Sequence, residues 1–399
     1  MSEITNTKNF ENAYKQVVKW RRYLHQYPEL SFKEYETARY ISDQLNKLGH
    51  IEVSHPTKTS VLGRLKGKKG PGKTIAIRAD IDALPIHEAT NLPFASTVDG
   101  VMHACGHDGH AAILLGTAKV LSEFQDELSG EFVFIFQHAE EVPPGGAKEM
   151  IEAGVLDGVD YVLGLHLWST VPFGEIQITE GPVSAASDIF DITIEGKSGH
   201  ASQPDSAIDA IAVGSQIISN IQHITSRVIS PLDSGVVSVT RFHSGDAYNV
   251  IPDKAHLGGS VRSLTNEVRE QIKQNIERIC TNIAIAHNAK ATLIYEYGYN
   301  PIINNEELTE RVFEHAKNQF KNDEHIKVLK TLPMLGGEDF SAFSNVVPGC
   351  YVGIGAMKSE NGPVIPHHHP QFDINEDALL VALKYYVTTV LELTGNYTC

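Results

Sequence analysis

Apolar residues recur at helical spacing from the N-terminus to about residue 49, most plainly at Tyr40, Ile41, Leu45 and Leu48. Pro28 interrupts the run, and Gly49 stands where a helix would end. The pattern then changes to short apolar stretches that predict buried strands over 61–65, 74–79, 131–136 and 161–166, with a helical stretch over 109–124 between the second and third. Strands alternating with helices predict an α/β domain in which helices flank a mixed sheet. From about residue 188 the order differs: strand 188–195, helix 208–224, strands 235–242 and 255–261, helix 266–287, strand 289–297. That βαββαβ order is the one of a ferredoxin-like split unit. After Pro301 helix–strand patterns resume. The expectation is a discontinuous domain, 1–186 and 299–399, interrupted by an inserted α+β domain over 187–298.

Length agrees with two domains, since 399 residues exceed what one core usually holds. A formal net charge of −16 argues against wrapping nucleic acid or binding an anionic membrane surface. Residues 1–16 are polar and lack the apolar core of a signal peptide, and no stretch reaches the length of a membrane span. Four scattered cysteines, Cys105, Cys280, Cys350 and Cys399, do not make a disulfide framework, so a reduced, cytoplasmic protein is expected. Asn396-Tyr397-Thr398 matches the glycosylation pattern but carries no meaning without secretion.

The chemistry concentrates in a few stretches. His103-Ala104-Cys105-Gly106-His107-Asp108-Gly109-His110 sets a thiol and imidazoles just where an apolar helix begins. Soft-to-borderline divalent metals favour that donor mix. A lone Cys-x-His is more often a buried cysteine beside a surface histidine; the density of donors here, and those downstream, reverse that reading. Arg78-Ala79-Asp80-Ile81-Asp82-Ala83-Leu84-Pro85 closes a buried strand, and Asp80 is placed to orient a metal-ligating imidazole. Glu140-Glu141 follows an apolar strand; one carboxylate can ligate while the other takes a water proton. His166, at the tip of an apolar strand, is either a core imidazole or a ligand. Of His367-His368-His369, at most one or two can face a single site. In the insert, His200 could donate to an oxyanion and Arg262 could bind a carboxylate, although taken alone each reads more readily as an exposed polar residue.

Taken together these residues resemble the M20 metallopeptidase family, in its aminoacylase/hippurate hydrolase/auxin-conjugate amidohydrolase branch. The likeness runs nearly end to end: Arg-Ala-Asp-Ile-Asp-Ala-Leu-Pro at 78–85, Met-His-Ala-Cys-Gly-His-Asp at 102–108 and Glu-Glu at 140–141. Gly-His-Ala-Ser-Gln-Pro at 199–204, Asn-Val-Ile-Pro at 249–252, Gly-Gly-Glu-Asp-Phe at 336–340 and His-His-Pro at 368–370 continue it. Much of the wider family has His-x-Asp where this chain has Arg78-Ala79-Asp80, and a bridging Asp where it has Cys105; both differences place it in the branch.

The resemblance implies two divalent metal ions per subunit (Mn²⁺ or Zn²⁺, with Co²⁺ as an alternative), held by Cys105, His107, Glu141, His166 and His368. Glu140 is then the general base and Asp80 orients the site. The implied reaction is hydrolysis of the amide of an N-acyl-L-amino acid, with a dipeptidase or carboxypeptidase as the alternative. Asn249 and Arg262 are implied to hold the substrate carboxylate, His200 to assist at the oxyanion, and the insert to form a homodimer. His138 departs from the branch, which usually has Pro in that segment, and is left without a role.

Overall fold

The computed structural model describes residues 3–359 and 362–396. Cys399 and the Tyr397-Thr398 part of the glycosylation pattern lie outside them; Cys105, Cys280 and Cys350 are free thiols.

Helix α1 (Thr7–Gln26) forms because Phe10, Ala13, Val17, Trp20 and Leu24 line one face and are buried, while the Asn6 side chain caps its start by accepting from the Lys8 N–H. Helix α2 (Tyr35–Leu48) buries Ala38, Ile41 and Leu45 in the same way and stops at Gly49. These two helices pack on α3 (His107–Glu123), whose residues are buried on nearly every side. A helix apolar all round belongs inside a domain.

The sheet beneath has eight strands. β1 (Glu52–Ser54), β2 (Val61–Lys66), β4 (Ser129–Gln137), β3 (Gly70–Asp80) and β5 (Tyr161–Trp168) lie side by side in that order. Gly349–Gly355, β6 (Glu175–Ile178) and Lys327–Lys330 complete it. β4, β3, β5 and Gly349–Gly355 run parallel to one another, and antiparallel pairs flank them, so the sheet is mixed as expected. Register puts Asp80 opposite Gln137, Arg78 opposite Gly164, and His166 opposite Gly353. The carboxyl ends of the parallel strands therefore reach one level together, the place where open α/β sheets carry chemistry.

By contact, the chain divides into two compact units. One comprises Met1–Gly181, Ile303–Leu332 and Asp339–Cys399; the other comprises Pro182–Ile302 with Pro333–Glu338. In the second, strands Gly235–His243, Lys254–Ser263, Ala186–Glu195 and Lys290–Glu296 form one antiparallel sheet in that spatial order, the ferredoxin-like arrangement. Ala186–Glu195 alternates strictly, burying Phe190, Ile192 and Ile194 against the helices Ala210–His223 and Asn266–Ala286. Among the described residues no helix is long and apolar enough to cross a membrane.

Candidate metal centre

Three chain segments deliver the candidate donors to the carboxyl edge of the sheet. The first runs from the end of β3 into α3. Sequence placed the start of that helix near Gly109; it begins at His107, so Cys105 stays in the loop while His107 rides on the first turn. Gly106 between them has φ 95°, a left-handed backbone that glycine adopts without strain, and this bend lets residues two apart aim at one point. The next residue, Asp108, anchors the turn: its carboxylate accepts from Arg21 Nε and pairs with His25 Nδ1, both at 2.9 Å, from the buried face of α1.

The second segment is the loop after β4. Ala139 is left-handed at φ 52°, and its N–H donates to Glu34 Oε1 at 2.8 Å; the Glu141 N–H donates to Asp82 Oδ2 at 3.0 Å. Glu140 is buried. The third segment is the tip of β5 with the loop at 367–369. His166 Nδ1 donates to Leu167 O at 2.9 Å, which turns Nε2 toward Cys105 Sγ, 3.4 Å away, and Trp168 stacks on the ring at 4.0 Å.

Of the three consecutive histidines, His368 is the one that joins the cluster. Its Nε2 lies 3.2 Å from Glu141 Oε1, and a left-handed backbone (φ 62°) and an N–H bond to Ala104 O at 2.8 Å hold it there. His367 instead donates to Leu167 O, and the half-buried His369 ring accepts from the Gln371 N–H.

The donor atoms of Cys105, His107 and His166 lie within 4.8 Å of one another, as do those of Cys105, Glu141 and His368, and those of His107, Glu140 and Glu141. Cys105 is common to two of these groups and Glu141 to two, so the six residues form one continuous cluster. His107 Nε2 is buried without a hydrogen-bond partner and stands 3.9 Å from Glu141 Oε1. An orphaned imidazole nitrogen among thiol, imidazole and carboxylate donors fits a divalent cation.

The electrostatics agree. Burial disfavours the charged ring of His107, yet Asp80, Asp82 and Glu141 outweigh it and raise its pKa to about 10. Burial, then Glu141 and Glu140, push the Cys105 thiol well above its ordinary value. His166 is driven well down by burial, with neighbouring His110 adding to it.

Asp80 is fully buried and bonds His110 Nδ1 at 2.6 Å, with Arg78 Nη1 donating to its other oxygen at 2.6 Å. The group that engages His107 Nδ1 is Asp82, through its carbonyl at 3.0 Å and Oδ1 at 3.3 Å. Asp82 and His110 were passed over in the sequence. The available signals were two carboxylates spaced two apart at a strand end, and a histidine one helical turn after His107. Arg78 extends the support, donating through Nε to Gln137 Oε1 and through Nη2 to Asp339 Oδ1, both at 2.7 Å.

His138 falls outside the donor groups. Its ring nitrogens meet Thr57 Oγ1 and Glu149 Oε2 at 3.3 and 3.2 Å, so it fills space beside the loop.

Three further residues belong to the second unit. His200 pairs with Val250 in a short ladder, accepts from Ser202 at Nδ1, and is exposed. Asn249 O accepts from the Ala201 N–H at 3.0 Å, which brings Asn249 beside His200. Arg262 sits mid-sheet, its Nη1 on Ser260 Oγ and Val261 O.

Residues 76–392 match peptidase family M20/M25/M40, and the chain belongs to that family. It is 52% identical to an N-acyl-L-amino acid amidohydrolase of Geobacillus stearothermophilus over 291 residues, 73% of this chain and 78% of that one. It is 42% identical to thermostable carboxypeptidase 1 of Saccharolobus solfataricus, over 96% of this chain and 98% of that one. A solved Bacillus subtilis structure, described as a dinuclear metal binding peptidase from the M20 family, superposes with a TM-score of 0.84 at 38% identity, covering 97% and 100% of the two chains.

Proposed function

We propose that this member of family M20/M25/M40 hydrolyses the amide bond of N-acyl-L-amino acids at a dinuclear centre. Cys105, His107, Glu141, His166 and His368 hold the two ions, and Glu140 is the general base. The observation that carries the reading is the linked set of donor groups, in which Cys105, His107 and Glu141 are each shared between two, as two adjacent ions require; five of the six residues are assigned to ligation, which leaves buried Glu140, next to Glu141, for the base. A merely structural site closes its coordination and keeps no spare base.

When bound, the ions supply Lewis-acid polarisation of the scissile carbonyl and make water acidic near neutral pH. Glu140 accepts the proton of the attacking water and returns it to the departing amine, so the amine leaves neutral. Asp82 keeps His107 as the tautomer that presents Nε2, and the Leu167 carbonyl does the same for His166. Asp80 holds His110, whose Nε2 accepts the Leu167 N–H at 2.9 Å and so fixes the segment that bears His166.

The thiolate–imidazole set suits Zn²⁺, and Mn²⁺ or Co²⁺ are the other candidates. Arg262 and Asn249 take the free carboxylate of the substrate, and His200 serves the developing oxyanion. The ferredoxin-like unit acts as lid and dimerisation domain, and the free thiols suit a cytoplasmic enzyme. The carboxypeptidase relative, matched over nearly its whole length, favours a second reading in which short peptides are the substrate.

Amine release from N-acetyl- and N-benzoyl-amino acids and from dipeptides, by chelator-stripped enzyme given Mn²⁺, Zn²⁺ or Co²⁺ separately, distinguishes the two. Metal-restored cleavage of the acyl amino acids supports the amidohydrolase; cleavage of dipeptides alone supports the peptidase. Absence of cleavage with any metal defeats both.

A further inference from the structure

The turn between α1 and α2 has no place in the reaction above, yet it touches both loops that carry the centre. Glu29 O accepts from the Ala83 N–H at 2.8 Å, and Leu30 forms a parallel bridge with Ala83, which seats the turn beside the 78–85 stretch. Ser31 Oγ donates to Asp82 Oδ2 at 2.7 Å. The same oxygen accepts from the Glu141 N–H.

Glu34 makes the second connection. It occupies the N-cap position of α2, but its side chain does not cap that helix. It turns inward, is fully buried, and accepts at Oε1 from two main-chain donors, Phe32 N at 2.9 Å and Ala139 N at 2.8 Å. Both donors have left-handed backbones, φ 65° and 52°, a conformation that disfavours any residue with a Cβ and persists only where its surroundings enforce it. One carboxyl oxygen therefore secures two such residues, and one of them immediately precedes Glu140. The Phe32 ring meets His138 edge-on at 5.7 Å, a further contact between turn and loop.

We infer that Glu34 is a positioning residue for the general base: by holding Ala139 in its left-handed turn, it sets the direction in which Glu140 and Glu141 leave β4. The inference rests on the assignment of Glu140 as base, but the clamp itself is readable without it. Burial raises the Glu34 pKa to about 7, so a neutral acceptor of the same shape is a fair replacement near neutral pH.

The test uses the full chain carrying Glu34→Ala, Glu34→Gln, or Glu34→Ala with Ala139→Gly. Amide hydrogen exchange over 138–142 is measured in each, together with kcat and KM for whichever acyl amino acid the wild type cleaves best. Glu34→Ala is expected to speed exchange of this segment at least tenfold and to lower kcat at least tenfold while KM stays within twofold. Glu34→Gln should keep both near wild type. Adding Ala139→Gly to Glu34→Ala should recover much of kcat, because glycine takes the left-handed turn unaided.

If Glu34→Ala does not fold, Glu34→Met replaces it, since it fills the same space and offers no oxygen acceptor. Unchanged exchange in the folded Ala or Met variant overturns the clamp, and equal loss of kcat in Ala and Gln overturns the role of the accepted hydrogen bond. If the wild type cleaves nothing, the functional reading fails, and exchange alone still decides for or against the clamp.

Discussion

Replacing Asp82 by Ala should weaken metal binding and stability together, and the structure sets the size of each effect. Asp82 is buried, and its Oδ2 satisfies the Glu141 N–H and the Ser31 hydroxyl. Truncation strands both donors, at about 1–3 kcal/mol each. Removing a buried carboxylate recovers part of that loss, so a net of about 2–4 kcal/mol is expected.

His107 keeps one restraint, the Asp82 carbonyl, so its tautomer survives while its orientation and basicity suffer. Losing such an outer partner typically costs 10–100-fold in metal affinity, about 1.4–2.7 kcal/mol. Chelator competition with Zn²⁺ or Mn²⁺ reads the first quantity, and denaturant unfolding of the metal-free protein at pH 7 reads the second. Asp82→Asn should fall between wild type and Ala, because one amide oxygen can serve only part of the donor set. A folded Asp82→Ala protein that binds metal within twofold of wild type would refute the reasoning.

Glu140→Gln should leave metal content unchanged by elemental analysis and lower kcat by about 10²–10⁴, the usual worth of a general base. Glu34 predicts a pH effect on stability: its folded pKa of about 7 lies above the ordinary value of 4.5, so between them the folded state keeps a proton that the unfolded chain has lost. The contribution of Glu34 to stability therefore falls as pH rises through that window, by about 3 kcal/mol in all, and that contribution is level on either side. Denaturant midpoints from pH 4 to 8 should show this fall in the difference between wild type and Glu34→Gln, since the slopes of the other titrating groups are common to both. Arg78→Met removes the guanidinium shared by Asp80, Gln137 and Asp339 and leaves buried carboxylates uncompensated, at about 3–5 kcal/mol by thermal or chemical unfolding.

The parts of this fold that the chain announces are those governed by one strong period. α1, α2, α3 and the βαββαβ unit are long and regularly patterned, so they could be read within a few residues. Glu175–Ile178 and Lys327–Lys330 are four residues each at the end of the sheet, too short for alternation to register. In the centre, donor-dense stretches were visible because a run such as 103–110 is improbable without chemistry. The choice of His368 among three neighbours came from family likeness; what brings that ring to Glu141 is a backbone bend that the three identical letters do not display. The partners of Asp82 and Glu34 were hidden for another reason. The bonds that tie them to the loop after β4 and to Ser31 join residues some 50 to 100 positions apart, and each of those donors is a main-chain N–H or a serine hydroxyl with no signature of its own.

The parallel pairing of Tyr161–Trp168 with Gly349–Gly355 gives the ribosome a timing problem. When β5 emerges, the strand that will cover its outer side is still about 190 residues from being made, roughly 10–40 s at ordinary elongation rates. Through that interval an apolar strand edge stands open on the nascent chain, the feature that invites pairing with a neighbour. Meanwhile every strand and both helices of the ferredoxin-like sheet are translated before Gly349–Gly355 appears, so that sheet has all its strands first. Slower synthesis across the inserted segment, or a nascent-chain chaperone, should matter most for chains halted between these two strands.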